Sequence, residues 1–144
     1  MTKAPSPQIF VHNRQRRIPL DRAGLEAFAR RALPLCVHEE GTGLTNLGEI
    51  HIIFISDRRM SELHRRFMQI AGPTDVITFE HGEIFISVET AQRQARTYRT
   101  SLGRELRLYL VHGLLHLRGF DDAHTADRRV MERAQEKILR LAAN

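Results

Sequence analysis

The chain reads SLGRELRLYLVHGLLHL from residue 101 to residue 117. At helical spacing, one face of this stretch carries only apolar or small residues: Leu102, Leu106, Tyr109, Leu110, Gly113, Leu114 and Leu117. Leu108, Val111 and Leu115 cover much of a second face. A helix that is apolar nearly all round is buried at the centre of its domain. We therefore predict a central helix here, with the other elements packed around it.

The remaining sequence predicts an α+β fold around that helix. Alternating β-branched and aromatic residues predict strands over 8–13, 49–56, 76–80 and 83–87. The last two are expected to form a hairpin at His81-Gly82, and 17–20 is expected to pair with the first strand. Helices are expected to begin near Asp21, Ser56, Ser87, Ser101 and Thr125. The prediction is a small mixed sheet of about four strands covered by about five helices.

Amphipathic spacing also predicts which helical side chains face the core. It directs Phe67, Tyr98, Val130 and Leu141 inward, each in line with other apolar residues of its helix. Pro34 is expected to end or kink the first helix, because proline lacks the amide hydrogen that a helix interior requires.

Length and composition narrow the class of protein. A chain of 144 residues suits a single domain over 1–144, with 1–7 as a loose end. With 42% hydrophobic and 27% charged residues, the composition excludes disorder and collagen. No apolar run is long enough to cross a bilayer, and the first residues lack the apolar core of a signal peptide. Cys36 is the only cysteine, which excludes an intrachain disulfide. We expect a cytoplasmic protein without membrane association.

Arginine dominates the positive charge. Lys3 and Lys137 are the only lysines, so 20 of the 22 basic residues are arginines, and the formal net charge is +5. Guanidinium groups bind phosphate in a two-pronged geometry, so a polyanionic partner is one reading. The other reading is a solvated basic surface. The same two readings apply to Arg93, Arg96 and Arg99, which recur every three residues. Such a row is usually a solvated helix face. The alternative is that these arginines contact RNA phosphates.

Two histidines interrupt the central helix. His112 and His116 are four residues apart, so their imidazoles project from one face, one turn apart, and can reach one metal ion. Gly119 can end the helix and turn the chain back, which brings Asp122 or His124 within reach as a third ligand. The alternative is a pair of core histidines bonded to backbone carbonyls. For a metal site zinc fits best, because this donor set leaves a fourth position open.

The residue after the first histidine excludes the usual metalloprotease. Zincin proteases carry a glutamate there, which serves as general base. In this chain the position is Gly113. We therefore predict a zincin-like, metal-bearing central helix without peptidase activity.

Residues 112–122, HGLLHLRGFDD, resemble the signature of the YbeY family of bacterial ribosomal-RNA maturation endoribonucleases. Two further blocks, TDVITF at 74–79 and GEIFIS at 82–87, are similar to family blocks in the same order. The resemblance implies a metal-dependent endoribonuclease specific for single-stranded RNA, which matures the 3′ end of small-subunit (16S) rRNA and acts in ribosome quality control. It also implies one zinc ion per chain, catalytic roles for His112 and His116, and contact with an rRNA precursor and with small-subunit proteins.

The chain departs from the family pattern at two positions. The third family ligand is a histidine, whereas this chain has Asp122 there, with His124 as the alternate ligand. An arginine of the family pattern is replaced by Met68, so Arg65 or Arg66 is expected to bind phosphate in its place.

Two questions stay open at the level of sequence. Asp75 is either a turn residue bonded to its own backbone or a catalytic residue beside the metal, where the resemblance places its block. The protein itself is either an RNA hydrolase or a non-catalytic, zinc-stabilised ribosome-assembly factor that binds RNA. The first reading is the one we adopt, and Met68 keeps the second as the alternative.

Overall fold

The computed structural model describes residues 7–38, 47–118 and 125–143. Within them the elements follow in this order: β1 (Gln8–Asn13), α1 (Arg22–His38), β2 (Glu49–Ile55), α2 (Asp57–Met68), β3 (Val76–Phe79), β4 (Glu83–Ser87), α3 (Val88–Tyr98), α4 (Leu102–Arg118) and α5 (Thr125–Ala142). No helix in these ranges is long and apolar enough to span a bilayer.

The strands form one mixed sheet in the order β1-β2-β4-β3. β1 runs parallel to β2, and β2 runs parallel to β4, whereas β3 pairs antiparallel with β4. The β3-β4 hairpin turns through Gly82, whose φ of 107° favours glycine. A Cβ at that position would lie 2.5 Å from the carbonyl oxygen of Glu49. The α+β class and the mixed sheet predicted from the sequence are confirmed.

The two faces of the sheet pack against different helices. One face carries Ile50, Ile52 and Ile84 into a large core shared with α1, α3, α4 and α5. The other face carries Ile53, Ile55 and Ile77, which pack against Met60 and Leu63 of α2 in a second, smaller cluster. The alternation of β-strand side chains therefore divides the apolar residues between two cores.

Helix α4 is the buried centre of the larger core. Leu110, Leu114 and Leu115 have no exposed surface, and the helix packs on α1, α3, α5, β3 and β4. It crosses the sheet at Gly113, where a Cβ would lie 2.6 Å from Cγ2 of Ile84. A glutamate at this position would have to displace a fully buried isoleucine. The close approach to the sheet therefore gives a packing reason for the glycine.

Two expectations drawn from short stretches of sequence were wrong, because contacts with other parts of the chain determine the structure there. Residues 17–20 form no strand, because Gln15 bonds both the N–H and the C=O of Ile18 and turns the chain there, and β1 pairs with β2 instead. Pro34 does not end α1, because the helix continues to His38 with Pro34 on its exposed side.

The predicted inward faces of three helices were also partly wrong. Phe67, Tyr98, Val130 and Leu141 are all exposed. Phe67 and Tyr98 lie in the last turns of their helices, beyond the residues that pack against the core. In α5 two overlapping rows of apolar residues fit the helical period. The row that contains Met131 and Ile138 is the one buried against the core.

Candidate functional site

His112 and His116 lie on adjacent turns of α4 with their rings in contact. The ring centroids are 4.5 Å apart and the rings meet edge to face, at 65°. Both residues are half-buried. The i, i+4 spacing therefore brings two imidazoles to one point at the border of the core, as the sequence predicted.

The orientation of His112 is fixed from the neighbouring helix. Its Nδ1 atom donates a hydrogen bond to Oε1 of Gln135, in α5, over 2.5 Å. Gln135 is only 8% exposed. Because a carboxamide oxygen only accepts, the proton of a neutral His112 ring is on Nδ1 and the lone pair is on Nε2. Metal-binding histidines are held in this way, with the second ring nitrogen bonded to an outer acceptor.

Sequence reasoning missed Gln135. Its signal was a polar residue inside the apolar stripe of α5, four residues after Met131 and three before Ile138. A buried polar side chain requires a hydrogen-bond partner, but that partner lies 23 residues away on another helix. The stripe could therefore indicate a buried contact but not its partner.

A row of polar side chains continues along α4 from the histidine pair. Glu105 and Tyr109 precede His112 at helical spacing and are almost fully buried. Glu105 accepts a hydrogen bond from the Thr100 hydroxyl over 2.9 Å. Burial, the charges of Asp75 and Glu105, and a hydrogen bond to Glu105 raise the pKa of Tyr109 well above its usual range. Tyr109 therefore keeps its proton at neutral pH, one turn before His112.

Asp75 lies in the turn that leads into β3. Its side chain accepts hydrogen bonds from the Val76 amide at 2.8 Å and from the Thr74 hydroxyl at 3.3 Å. Its own carbonyl oxygen accepts from the Ser87 amide at 3.0 Å. These bonds are those of a turn residue.

Arg93 is held by a carboxylate on another helix. Its guanidinium donates to Asp57, the first residue of α2, over 2.6 Å. Asp57 also accepts from the hydroxyls of Ser87 and Thr90, at 2.5 and 2.7 Å. Burial raises the pKa of Asp57, but these hydrogen bonds outweigh it and hold the pKa below its usual value. Arg93 therefore connects α3 to α2.

The other candidate arginines are exposed. Arg65 and Arg66 form the basic last turn of α2. Arg96 lies in the last turn of α3, and Arg99 follows it as the left-handed residue that ends the helix. The expected row on one helix face is thus broken, because Arg93 is paired with Asp57 and Arg99 lies beyond the helix.

Asp122 and His124, the two candidates for a third ligand, lie outside the described residues. Within residues 7–38, 47–118 and 125–143, no group of three or more His, Cys, Asp or Glu side chains could hold a metal ion. The described part of the site therefore supplies two imidazoles.

Comparison with known proteins gives a consistent match. The family model described as Endoribonuclease YbeY matches residues 10–143. A protein named Endoribonuclease YbeY from Pelotomaculum thermopropionicum is 32% identical over 146 residues, which covers 91% of this chain and 94% of that protein. One of the same name from Phocaeicola vulgatus is 37% identical over 102 residues, which covers 66% of this chain and 74% of that protein.

A solved structure shares the fold. The solution structure of TM1509 from Thermotoga maritima superimposes with a TM-score of 0.66 at 22% sequence identity. The match covers 94% of this chain and 89% of that chain. At this identity the likeness establishes the fold alone.

Proposed function

Because this chain belongs to the YbeY endoribonuclease family, we propose that it cleaves single-stranded RNA in a metal-dependent reaction centred on His112 and His116. The observation that carries the proposal is the pair of contacting imidazoles on the buried helix α4, with His112 oriented by Gln135.

The donor set fits zinc. With its Nδ1 proton bonded to Gln135, His112 presents Nε2 as the metal-binding atom, and His116 lies one turn further along the same face. We propose Asp122 as the third ligand on spacing, with His124 as the alternate. When bound, zinc would supply Lewis-acid stabilisation of the charge that develops on the phosphate.

The surrounding residues have roles that do not depend on the metal. Tyr109 lies one turn from His112, almost fully buried and hydrogen-bonded to Glu105, so it belongs to the polar row that continues from the histidine pair. Asp75 is proposed as a further catalytic residue, because it lies in the block that resembles the family. Gly113 provides no carboxylate beside the first histidine, which disfavours peptide hydrolysis.

The proposed substrate is the precursor of small-subunit rRNA, cut to form the 3′ end of 16S rRNA in the cytoplasm, in contact with small-subunit proteins. Family membership and the excess of arginine support an RNA substrate. Arg65 and Arg66 are the proposed phosphate contacts closest in sequence to the Asp75 turn. Arg96 and Arg99 are proposed as further phosphate contacts. Arg93 is proposed to contact phosphate while it keeps its bond to Asp57.

A second candidate function is a non-catalytic, zinc-stabilised factor in ribosome assembly. The observation that favours it is Met68, exposed and apolar where the family resemblance implies an arginine. This candidate predicts zinc and RNA binding without cleavage.

The test is zinc content measured beside cleavage of a single-stranded RNA. Wild type and a His81→Ala control, altered in the exposed β3-β4 turn, should hold about one zinc per chain and cleave. His112→Ala and His116→Ala should lose both properties. Full zinc occupancy in both variants would refute the site. Of Asp122→Ala and His124→Ala, the variant that loses zinc identifies the third ligand.

A further inference from the structure

Three apolar side chains are exposed together at the end of α2. Phe67, Met68 and Ile70 are 50%, 43% and 50% exposed, although Met60 and Leu63 already form the buried face of the helix. We call these three residues the Phe67 patch. Packing of α2 on the sheet still leaves about half of each side chain exposed, and clustered exposed apolar residues commonly mark a binding surface.

The patch is held in place by its neighbours. Gln69 adopts a left-handed conformation with φ of 56° and ends α2, and the Ile70 amide bonds back to the carbonyl of His64. The Phe67 ring packs edge to face on Phe79 with centroids 5.1 Å apart. Phe79 in turn packs on Phe85 of β4. The exposed ring is thus supported by the sheet and needs little ordering on binding.

Two guanidinium groups border the patch. Arg65 and Arg66 are exposed, and neither forms an ion pair within the part of the chain that the structure describes. Glu62, the acidic residue nearest to them in the helix, is instead paired with Arg58 and Arg59. Arg66 lies 5.4 Å from the centroid of the Phe67 ring, within cation–π range. The patch therefore combines an aromatic face with uncompensated positive charge.

The patch is followed in the chain by the turn that carries Asp75, five residues after Ile70. The His64 ring bonds the carbonyl of Gly72 at 2.9 Å and fixes the intervening segment. The patch and the turn of the proposed catalytic Asp75 are thus joined by a short, held segment.

We propose that the Phe67 patch binds the bases of single-stranded RNA, with a base stacked on Phe67 and flanking phosphates held by Arg65 and Arg66. The inference rests on the proposed function, which supplies RNA as the substrate. An aromatic face beside unpaired arginines matches the surfaces that hold single strands, where bases stack on rings and phosphates meet cations. Met68 then contributes a base contact in place of a phosphate contact.

This assignment gives a physical basis for single-strand preference. In a duplex both faces of each base are covered by neighbouring bases, so no face is available to the Phe67 ring. Stacking on an aromatic side chain tolerates any sequence, because every base has a flat face. The patch should therefore select for unpaired RNA without selecting for a base.

The test uses an uncleavable 2′-O-methyl RNA oligomer, a matching oligomer with an abasic tract, and the zinc-loaded full chain. Wild type should bind the base-bearing strand about tenfold more tightly than the abasic strand, as expected for about one stacked base. Phe67→Leu should remove that difference and leave the salt dependence unchanged. Met68→Gln, at an already exposed position, should reduce it without affecting folding. Phe10→Leu, at an exposed phenylalanine on the opposite edge strand, should keep it.

Other results would overturn the assignment in distinguishable ways. Equal affinity of wild type for both strands would exclude base stacking, while cleavage of RNA would leave the proposed function standing. An unchanged difference in Phe67→Leu would exclude the patch as the stacking surface and leave it as a docking surface for protein. Absence of both RNA binding and cleavage would refute the proposed function together with this inference.

Discussion

Gln135 and His112 join α5 to α4 through a hydrogen bond of 2.5 Å between the carboxamide oxygen and Nδ1. Gln135 is the buried partner that sets the tautomer of the first proposed metal ligand. A hydrogen-bond acceptor that orients a metal-binding histidine typically contributes about 10- to 100-fold to metal affinity.

Replacing Gln135 should therefore change zinc affinity. Gln135→Leu removes the acceptor at similar size and should weaken zinc binding about 10- to 100-fold. Gln135→Glu keeps an acceptor and adds charge, so it should bind zinc at least as tightly as wild type. Competition with a chromophoric chelator measures both affinities. Wild-type affinity in Gln135→Leu would show that the bond does not support a metal ligand.

The arginines at the end of α2 should set the salt dependence of RNA binding. Each phosphate contact to a single strand contributes about −0.7 to the slope of log affinity against log salt. Arg65→Gln and Arg66→Gln should each flatten the slope by about that amount, and Met68→Arg should steepen it and raise cleavage. Arg58→Gln, on the same helix but near Glu62, is the matched control. Equal effects of Arg58→Gln and Arg65→Gln would contradict the assignment.

Gly113 is predicted to be required for packing of α4 on the sheet. Gly113→Ala places a Cβ 2.6 Å from the buried Ile84, and overpacking of this kind costs about 1–3 kcal/mol. Gly103→Ala is the matched control in the same helix, where the nearest atom is 4.0 Å away. It should stabilise by up to about 1 kcal/mol through helix propensity. Chemical denaturation measures both changes, and similar effects of the two substitutions would contradict the packing argument.

Asp57 should stabilise the protein in a pH-dependent way. Its pKa is lowered from 3.8 in the folded chain, so its contribution is complete above pH 3.8 and is lost as pH falls through the lower, folded value. Asp57→Asn should cost about 1–3 kcal/mol at pH 7, because it weakens the bonds to Arg93, Ser87 and Thr90. The difference from wild type should shrink in acid. A difference that stays constant from pH 7 to pH 3 would contradict this role.

The parts of the fold that were predictable are those with a local signal. Helix α4 and the histidine pair follow from periodicity within one segment, and the β3-β4 hairpin follows from a turn at Gly82. The pairing of β1 with β2 is parallel and spans the whole of α1, so no local pattern specifies it. The local reading of 17–20 as a hairpin partner was wrong for that reason.

The candidate site was predictable to the same extent. The spacing of His112 and His116 predicts that they share one face of the helix. The hydrogen bond between His112 and Gln135 depends on how α5 packs on α4, which this spacing does not specify. The spacing of Phe67 from Met60 matches the helical period and therefore predicts a core position. Its exposure depends on where the last turn of α2 lies relative to the sheet, which the sequence of one helix does not contain.

We propose above that zinc held by His112 and His116 drives cleavage of single-stranded RNA. The most direct measurement is the cleavage rate of metal-stripped protein during titration with zinc, on one RNA as a single strand and as a duplex. The rate on the single strand should rise in proportion to zinc, reach its limit at about one equivalent per chain, and greatly exceed the rate on the duplex. Undiminished cleavage by the metal-stripped protein, or none by the zinc-loaded protein, would contradict the account.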